Sequence, residues 1–356
     1  MTGPNLLAAL VEICGPSYAR AARPVDVVGG RRAGFVAVPA TSAAVADVVR
    51  LAADRGLTVV PRGSGSKINW GTPGAPADLI LDTGRLDGII AHDPETRTAE
   101  VRAGTPVHAL QAAVALHGQG LPVDPPSRTA TVGGMLAVNE SGPLRYHFGP
   151  PAEHVEQVAT VGTTGVITSA VLRLRPLPGA RRWVTVPVSN PAGLGRLTGP
   201  AADHAPSALE VDLPGGTGTL AALIEGDEAD VVGRAGALTV AWGAGAEVTT
   251  TAPPWWGRYP FGPEDVAVRL SVSPADLPAT IYALADALAG PVPVRGSAGL
   301  GSVHAVLPGA LPAERLAQIV DILGRVLMAR NGRAVPVAAP FELATRIDMA
   351  SRRDFF

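Results

Sequence analysis

One stretch limits this chain's fold more than any other: Pro61-Arg62-Gly63-Ser64-Gly65-Ser66-Lys67-Ile68-Asn69-Trp70-Gly71. It follows the β-branched run Thr58-Val59-Val60, so it leaves the end of a predicted strand. Glycine and serine let the backbone pass through positive φ and bring successive N–H groups to a common point, a concavity that suits a phosphate or pyrophosphate. Arg62 and Lys67 add positive charge. Spacing excludes two phosphate loops. The pattern G-x-x-x-x-G-K-[ST] is absent, and Gly63-x-Gly65-x-x runs into Ile68 where a dinucleotide fingerprint needs glycine. Trp70-Gly71-Thr72-Pro73-Gly74 is turn chemistry, so no helix follows. Taken alone, these residues fit a plain surface loop between strands equally well.

The length of 356 residues predicts about two domains, and 47% hydrophobic against 17% charged residues places the chain among well-buried globular proteins. A formal charge of -2 gives no basis for a nucleic-acid or membrane-surface role. Cys14 is the only cysteine, so a disulfide framework, a cysteine-based zinc site and an iron–sulfur ligand set are all excluded. No basic segment leads into an apolar core at the N-terminus, and no apolar run approaches a spanning length. The expectation is a soluble, cytoplasmic protein without a membrane span.

Along the chain, residues 5–14 read as a short helix and 15–23 as a linker. Phe35–Val38 and Leu57–Val60 read as strands joined by a helix capped at Thr41 or Ser42, a βαβ unit with locally parallel strands and a right-handed crossover. The glycine stretch then lies at the C-terminal end of the second strand, a favoured ligand position. A hairpin is predicted for Ile89–Ala91 against Ala99–Ala103, and a helix for Val107–His117. A second glycine-bearing stretch runs from Pro125-Pro126-Ser127 through Thr131-Val132-Gly133-Gly134 to Ser141-Gly142. Gly133-Gly134 would admit a ligand to the main chain, or simply pack tightly between elements. A third, Val161-Gly162-Thr163-Thr164-Gly165-Val166-Ile167-Thr168, leads into a strand that ends at Arg175-Pro176-Leu177-Pro178-Gly179. Beyond it, strands are predicted at Ala208–Leu213 and Thr219–Ile224. The succession 266–337 reads βαββαβ, a ferredoxin-like unit. No internal repeat is visible.

Together the three glycine stretches resemble the flavoprotein fold shared by vanillyl-alcohol oxidase and p-cresol methylhydroxylase (PCMH), and most of all the FAD-binding subunit of bacterial glycolate oxidase. The resemblance implies an α+β fold: a PCMH-type FAD-binding domain over residues 25–179, then a ferredoxin-like α+β cap domain over 180–345. It implies that Arg62, Gly63, Ser64, Gly65, Ser66 and Lys67 wrap the FAD pyrophosphate. Thr131, Gly133, Gly134 and Ser141 would line the diphosphate and ribityl chain, and Val166 and Ile167 would lie by the adenosine end. Some relatives attach flavin covalently through a histidine in the first loop. Ser66 stands there in this chain, so non-covalent FAD is expected. Relatives also carry several tens of residues more between Gly149 and Gly165, and a proline-rich C-terminal return that this chain lacks after Ser351.

The implied activity is a glycolate-oxidase-like flavoprotein subunit that oxidises a small 2-hydroxy acid and passes electrons to a flavoprotein or iron–sulfur partner subunit. A non-catalytic assembly subunit with weak or absent FAD binding is the alternative. A third, weaker reading is a free-standing alcohol or sugar oxidase. Groups able to hold a carboxylate or take a proton are Arg145-Tyr146-His147, Arg258 and Tyr259 within Trp255–Phe261, Arg295 and His304. Each also has a structural reading: a surface turn, packing of the cap on the FAD domain, or a hydrogen-bonded strand histidine. No H-x-H, H-E-x-x-H or carboxylate-rich pattern predicts a metal.

Overall fold

The computed structural model describes residues 3–163, 165–351 and 354–356; Thr164 of the third glycine stretch lies outside them. The chain divides into two units, one of residues 1–140, 150–177 and 356, the other of 141–149 and 178–355. Each is described by itself.

In the first unit, α1 (Gly3–Cys14), β1 (Ala19–Ala21), β2 (Phe35–Ala37), α2 (Ser42–Asp54), β3 (Val59–Arg62) and β4 (Leu79–Asp82) form the first layer. The strands lie in the order β1-β2-β4-β3. Thr41 caps α2 through its side chain, which accepts from Ala44 N. The predicted βαβ strands are both parallel to β4 but do not touch each other: β4 enters between them, with Ile80 opposite Val36 on one side and Val60 on the other. The predicted linker 15–23 contains β1, which pairs antiparallel with β2. Its Ala-Arg-Ala sequence carries no strand alternation. Val45, Val48 and Ala52 of α2 pack with Leu6 and Leu10 of α1 on Leu79 and Leu81.

A second sheet follows, built from β5 (Ile89–Asp93), β6 (Thr98–Arg102), β7 (Val155–Val161) and β8 (Val166–Arg173) in the order β7-β8-β6-β5, all antiparallel. Helices α3 (Val107–Ala115) and α4 (Val132–Val138) cover it through Leu110, Val114, Val132 and Met135. Between β7 and β8, Gly165 N donates to Gly162 O at 3.1 Å.

The second unit holds the short helix α5 (Arg145–Phe148). It continues through β9 (Ala180–Val188), α6 (Leu194–Ala202), β10 (Ala208–Leu213), β11 (Gly218–Gly226), α7 (Glu228–Trp242) and β12 (Glu247–Thr249). Then come β13 (Asp265–Ser271), α8 (Leu277–Leu288), β14 (Val294–Ser297), β15 (Ser302–Pro308), α9 (Ala313–Met328) and β16 (Arg333–Ala338). All eight strands form one sheet, β12-β9-β11-β10-β14-β15-β13-β16. The expected βαββαβ unit is the second half of this series, but β9 to β12 repeat the same series with the same strand order. The expectation of no repeat is therefore corrected: the unit is a structural duplication, joined where β10 pairs with β14. Arg182 stands in the core-facing register of β9 and Pro187 is a strand breaker, while Gly195, Gly199 and Pro200 weaken the helical pattern of α6, so the first copy is hard to read from residues. All four long helices lie on one face, over Val184, Val211, Ile224, Val268 and Leu307.

Candidate cofactor site

Strand β3 delivers Arg62 beside Asp82 of β4, and the chain then turns away through Gly63 and Gly65, the latter at φ +77°. The Arg62 guanidinium is fully engaged there. Its Nε and Nη2 donate to Asp82 Oδ2 at 2.9 and 2.8 Å, and its Nη1 donates to Asp26 Oδ1 at 3.1 Å. Asp26, 2% exposed, also accepts from Arg20 and from Arg23 N. The Arg20 hydrogen bond, aided by the Arg23 amide and Arg62, holds the Asp26 carboxyl well below the usual carboxylate range against the opposing pull of burial.

The second cation of the stretch turns inward as well. Lys67 Nζ lies 2.6 Å from Glu140 Oε1 and donates to Ser127 Oγ at 2.6 Å, under the rings of Trp70 and Phe356. Burial pushes its ammonium down, and Glu140 works in the opposite direction. What the stretch offers to an anion is therefore its backbone and the exposed Ser64 and Ser66. Among the described residues, none accepts a hydrogen bond from the N–H groups of Gly63, Ser64, Gly65 or Ser66. Four consecutive donors with no acceptor among the described residues make this run a candidate nest for a phosphate oxygen.

The second stretch meets the first at one point. A Cβ on Gly63 would sit 2.2 Å from Thr131 Oγ1, so only glycine fits there. Thr131 is itself the N-cap of α4, its hydroxyl accepting from Gly134 N at 3.2 Å. Gly133 is explained by packing: its N donates to Ala103 O at 2.7 Å, and a Cβ would sit 2.7 Å from Ala103 Cβ. Gly134 is exposed. The other expected residues are dispersed. Ser141 falls in the second unit, within 3.5 Å of Arg145 Nη1. Val166, 1% exposed, packs with α1 and α2 in the first-layer core, while Ile167 is half-buried opposite Thr160. The residues that neutralise Arg62 and Lys67, namely Asp26, Asp82 and Glu140, escape sequence reading because an isolated acid looks like solvated surface.

In the second unit, the Trp255–Phe261 segment lies on that unit's own sheet, on the side away from the helices. Trp256 meets Trp183 edge-on, and Tyr259 and Phe261 flank His304 at 5.5 and 5.6 Å. Arg295 is paired with Asp212 at 2.8 Å and also donates to Tyr259 O. Arg269, which the sequence does not single out, differs from it. It donates to Ser302 Oγ and Asp354 O and is within reach of no carboxylate that forms an ion pair with it among the described residues. Burial first, then Arg145 and Arg333, push it down to about 10 against the opposing pull of the Asp354 carboxylate. Tyr146 lies against Gly299, where a Cβ would sit 2.3 Å from the ring. No group of three His, Cys, Asp or Glu suited to a metal occurs among the described residues, and no helix there is long and apolar enough to cross a membrane.

Residues 33–170 match the family described as FAD binding domain. Glycolate oxidase subunit GlcE of Escherichia coli strain K12 is 35% identical over 136 residues, 38% of this chain and 37% of that protein. D-lactate dehydrogenase of Archaeoglobus fulgidus is 30% identical over 164 residues, 45% of this chain and 37% of that protein. The chain thus covers well under half the length of these relatives. A solved structure of alkyldihydroxyacetonephosphate synthase superposes with a TM-score of 0.71 at 14% identity, covering 93% of this chain and 80% of that one, which speaks for the fold alone. The N–H run with no acceptor among the described residues, and the glycine that admits it, both lie inside the segment 33–170 that matches the FAD binding domain.

Proposed function

We propose that this chain is the flavoprotein subunit of an FAD-dependent oxidoreductase acting on a small 2-hydroxy acid and passing electrons to a partner subunit. The observation that carries the reading is the run of four N–H groups from Gly63 to Ser66 with no acceptor among the described residues, set against Thr131. These backbone donors, with the Ser64 and Ser66 hydroxyls, would hold the pyrophosphate, and the Thr131–Gly134 turn would lie alongside it. Bound FAD would supply the hydride acceptor, so that the C2 hydride of the 2-hydroxy acid would pass to it and the hydroxyl proton to water, leaving the 2-oxo acid. Ser66 offers no histidine for covalent attachment, so the flavin would be held non-covalently.

Names among the relatives, namely glycolate oxidase subunit, D-lactate dehydrogenase and D-2-hydroxyglutarate dehydrogenase, support a hydroxy-acid substrate. With one cysteine in the sequence, no iron–sulfur relay can be built from this chain's own residues, which supports electron transfer to another subunit. In the second unit, Arg269 is the candidate for the substrate carboxylate, since Arg295 is already committed to Asp212.

The test is the visible spectrum of the purified chain before and after acid precipitation, followed by anaerobic addition of glycolate, D-lactate or D-2-hydroxyglutarate. Flavin bands that pass entirely to the supernatant and bleach with one of these acids support the proposal. A colourless chain that takes up no added FAD would overturn it in favour of the assembly-subunit reading.

A further inference from the structure

Lys67 and Glu140 come from the two different glycine stretches, yet their side chains are only 5% and 2% exposed and 2.6 Å apart. Ser127 joins them twice, its Oγ accepting from Lys67 Nζ at 2.6 Å and its N donating to Glu140 Oε1 at 3.0 Å. Trp70 and Phe356 stack with centroids 6.2 Å apart and close over the ammonium at 4.6 and 5.5 Å. A lysine that meets an incoming phosphate keeps its ammonium accessible; this one is enclosed and neutralised within the first unit. Burying such a pair carries a desolvation cost, so its use is best sought in the geometry it enforces.

We infer that Lys67 and Glu140 are positioning residues rather than phosphate ligands. The pair fastens the Gly63–Ser66 run to the Pro125–Glu140 stretch and holds the four N–H groups convergent before FAD arrives. Preorganised donors bind without the ordering cost a free loop would incur. This inference rests on the FAD reading of the first unit.

The experiment compares Lys67→Met, Glu140→Leu and the double variant, measuring FAD affinity of the apo-chain by flavin fluorescence and apo-chain melting in parallel. Each single variant strands a buried charge, and FAD affinity falls by about tenfold or more. The double variant replaces the pair with apolar side chains of similar volume, and both affinity and melting return to within about threefold and a few degrees of wild type. A double variant as weak as Lys67→Met shows that the lysine charge itself is needed and overturns the inference. So does a Glu140→Leu chain that binds FAD more tightly than wild type. A wild-type chain that binds no FAD instead fails the cofactor reading. The pair is then judged on melting alone, where additive losses in the double variant overturn it.

Discussion

Gly63 and Thr131 meet so closely that a methyl group on the glycine would overlap the threonine hydroxyl, at 2.2 Å from Oγ1. The same hydroxyl caps α4, so it cannot swing away without releasing Gly134 N. Gly63→Ala is therefore expected to push the nest open and weaken FAD binding by about tenfold or more, with a stability loss of about 1–3 kcal/mol. Adding Thr131→Ala removes the clashing atom at the cost of a cap, about 1 kcal/mol, and should recover part of the affinity. Titration of the apo-variants with FAD checks both. Unchanged affinity in Gly63→Ala would mean that the two stretches do not set the site together.

Arg62 is held between Asp26 and Asp82, and Lys67 against Glu140, so no net side-chain cation of the first stretch faces the nest. An anion held by backbone dipoles at close range is screened far less than one held by exposed charges. Raising salt from roughly 0.05 to 0.5 M should change FAD affinity by less than about threefold. A loss of more than tenfold would show that a lysine or arginine reaches the pyrophosphate directly.

The sequence made the glycine stretch, the strands beside it and the second βαββαβ series legible, because each rests on local chemistry: turn residues, caps and apolar periodicity. It could not show that β4 enters between β2 and β3, since which strands pair depends on distant contacts. The duplication in the second unit was hidden for a similar reason, as β9 and α6 keep the topology of their counterparts without the residue pattern. At the site, Gly63 reads as a turn residue, and its close approach to Thr131 is visible only in the fold. Arg62 and Lys67 read as cations available to a ligand because Asp26, Asp82 and Glu140 lie far away in sequence.

Asp26 gives a test by pH. Its folded carboxyl is held below its unfolded value by Arg20, Arg23 N and Arg62. The unfolded chain therefore binds the extra proton first as the pH falls. The stabilisation is complete above the unfolded value of about 4 and is lost progressively below it. Asp26→Asn takes the carboxylate from Arg20 and leaves Arg62 with Asp82 alone, and should cost about 1–3 kcal/mol near neutral pH. Below about pH 4 the wild-type melting temperature should fall more steeply than that of the variant. Parallel slopes for the two proteins in acid would exclude the carboxylate as the source.

Arg269 stands apart from the other arginines of the second unit's sheet. Arg295 has Asp212 and Arg333 has Asp354, whereas Arg269 has a hydroxyl and a carbonyl, with Arg145 and Arg333 adding positive potential around it. A buried cation whose own hydrogen bonds go only to neutral acceptors gains most from an added carboxylate, and the nearby Asp354 carboxylate is already paired with Arg333. Arg269→Met should raise the KM for the hydroxy acid by about 10–100-fold, the worth of a hydrogen bond to a charged group, while flavin content stays at the wild-type level. Arg269→Lys keeps the charge but loses the planar fork, and its KM should fall between the two. An alcohol without a carboxylate should show no such difference among the three proteins. If KM for the acid is unchanged in Arg269→Met, the arginine serves only to tie β13 to Asp354 and Ser302.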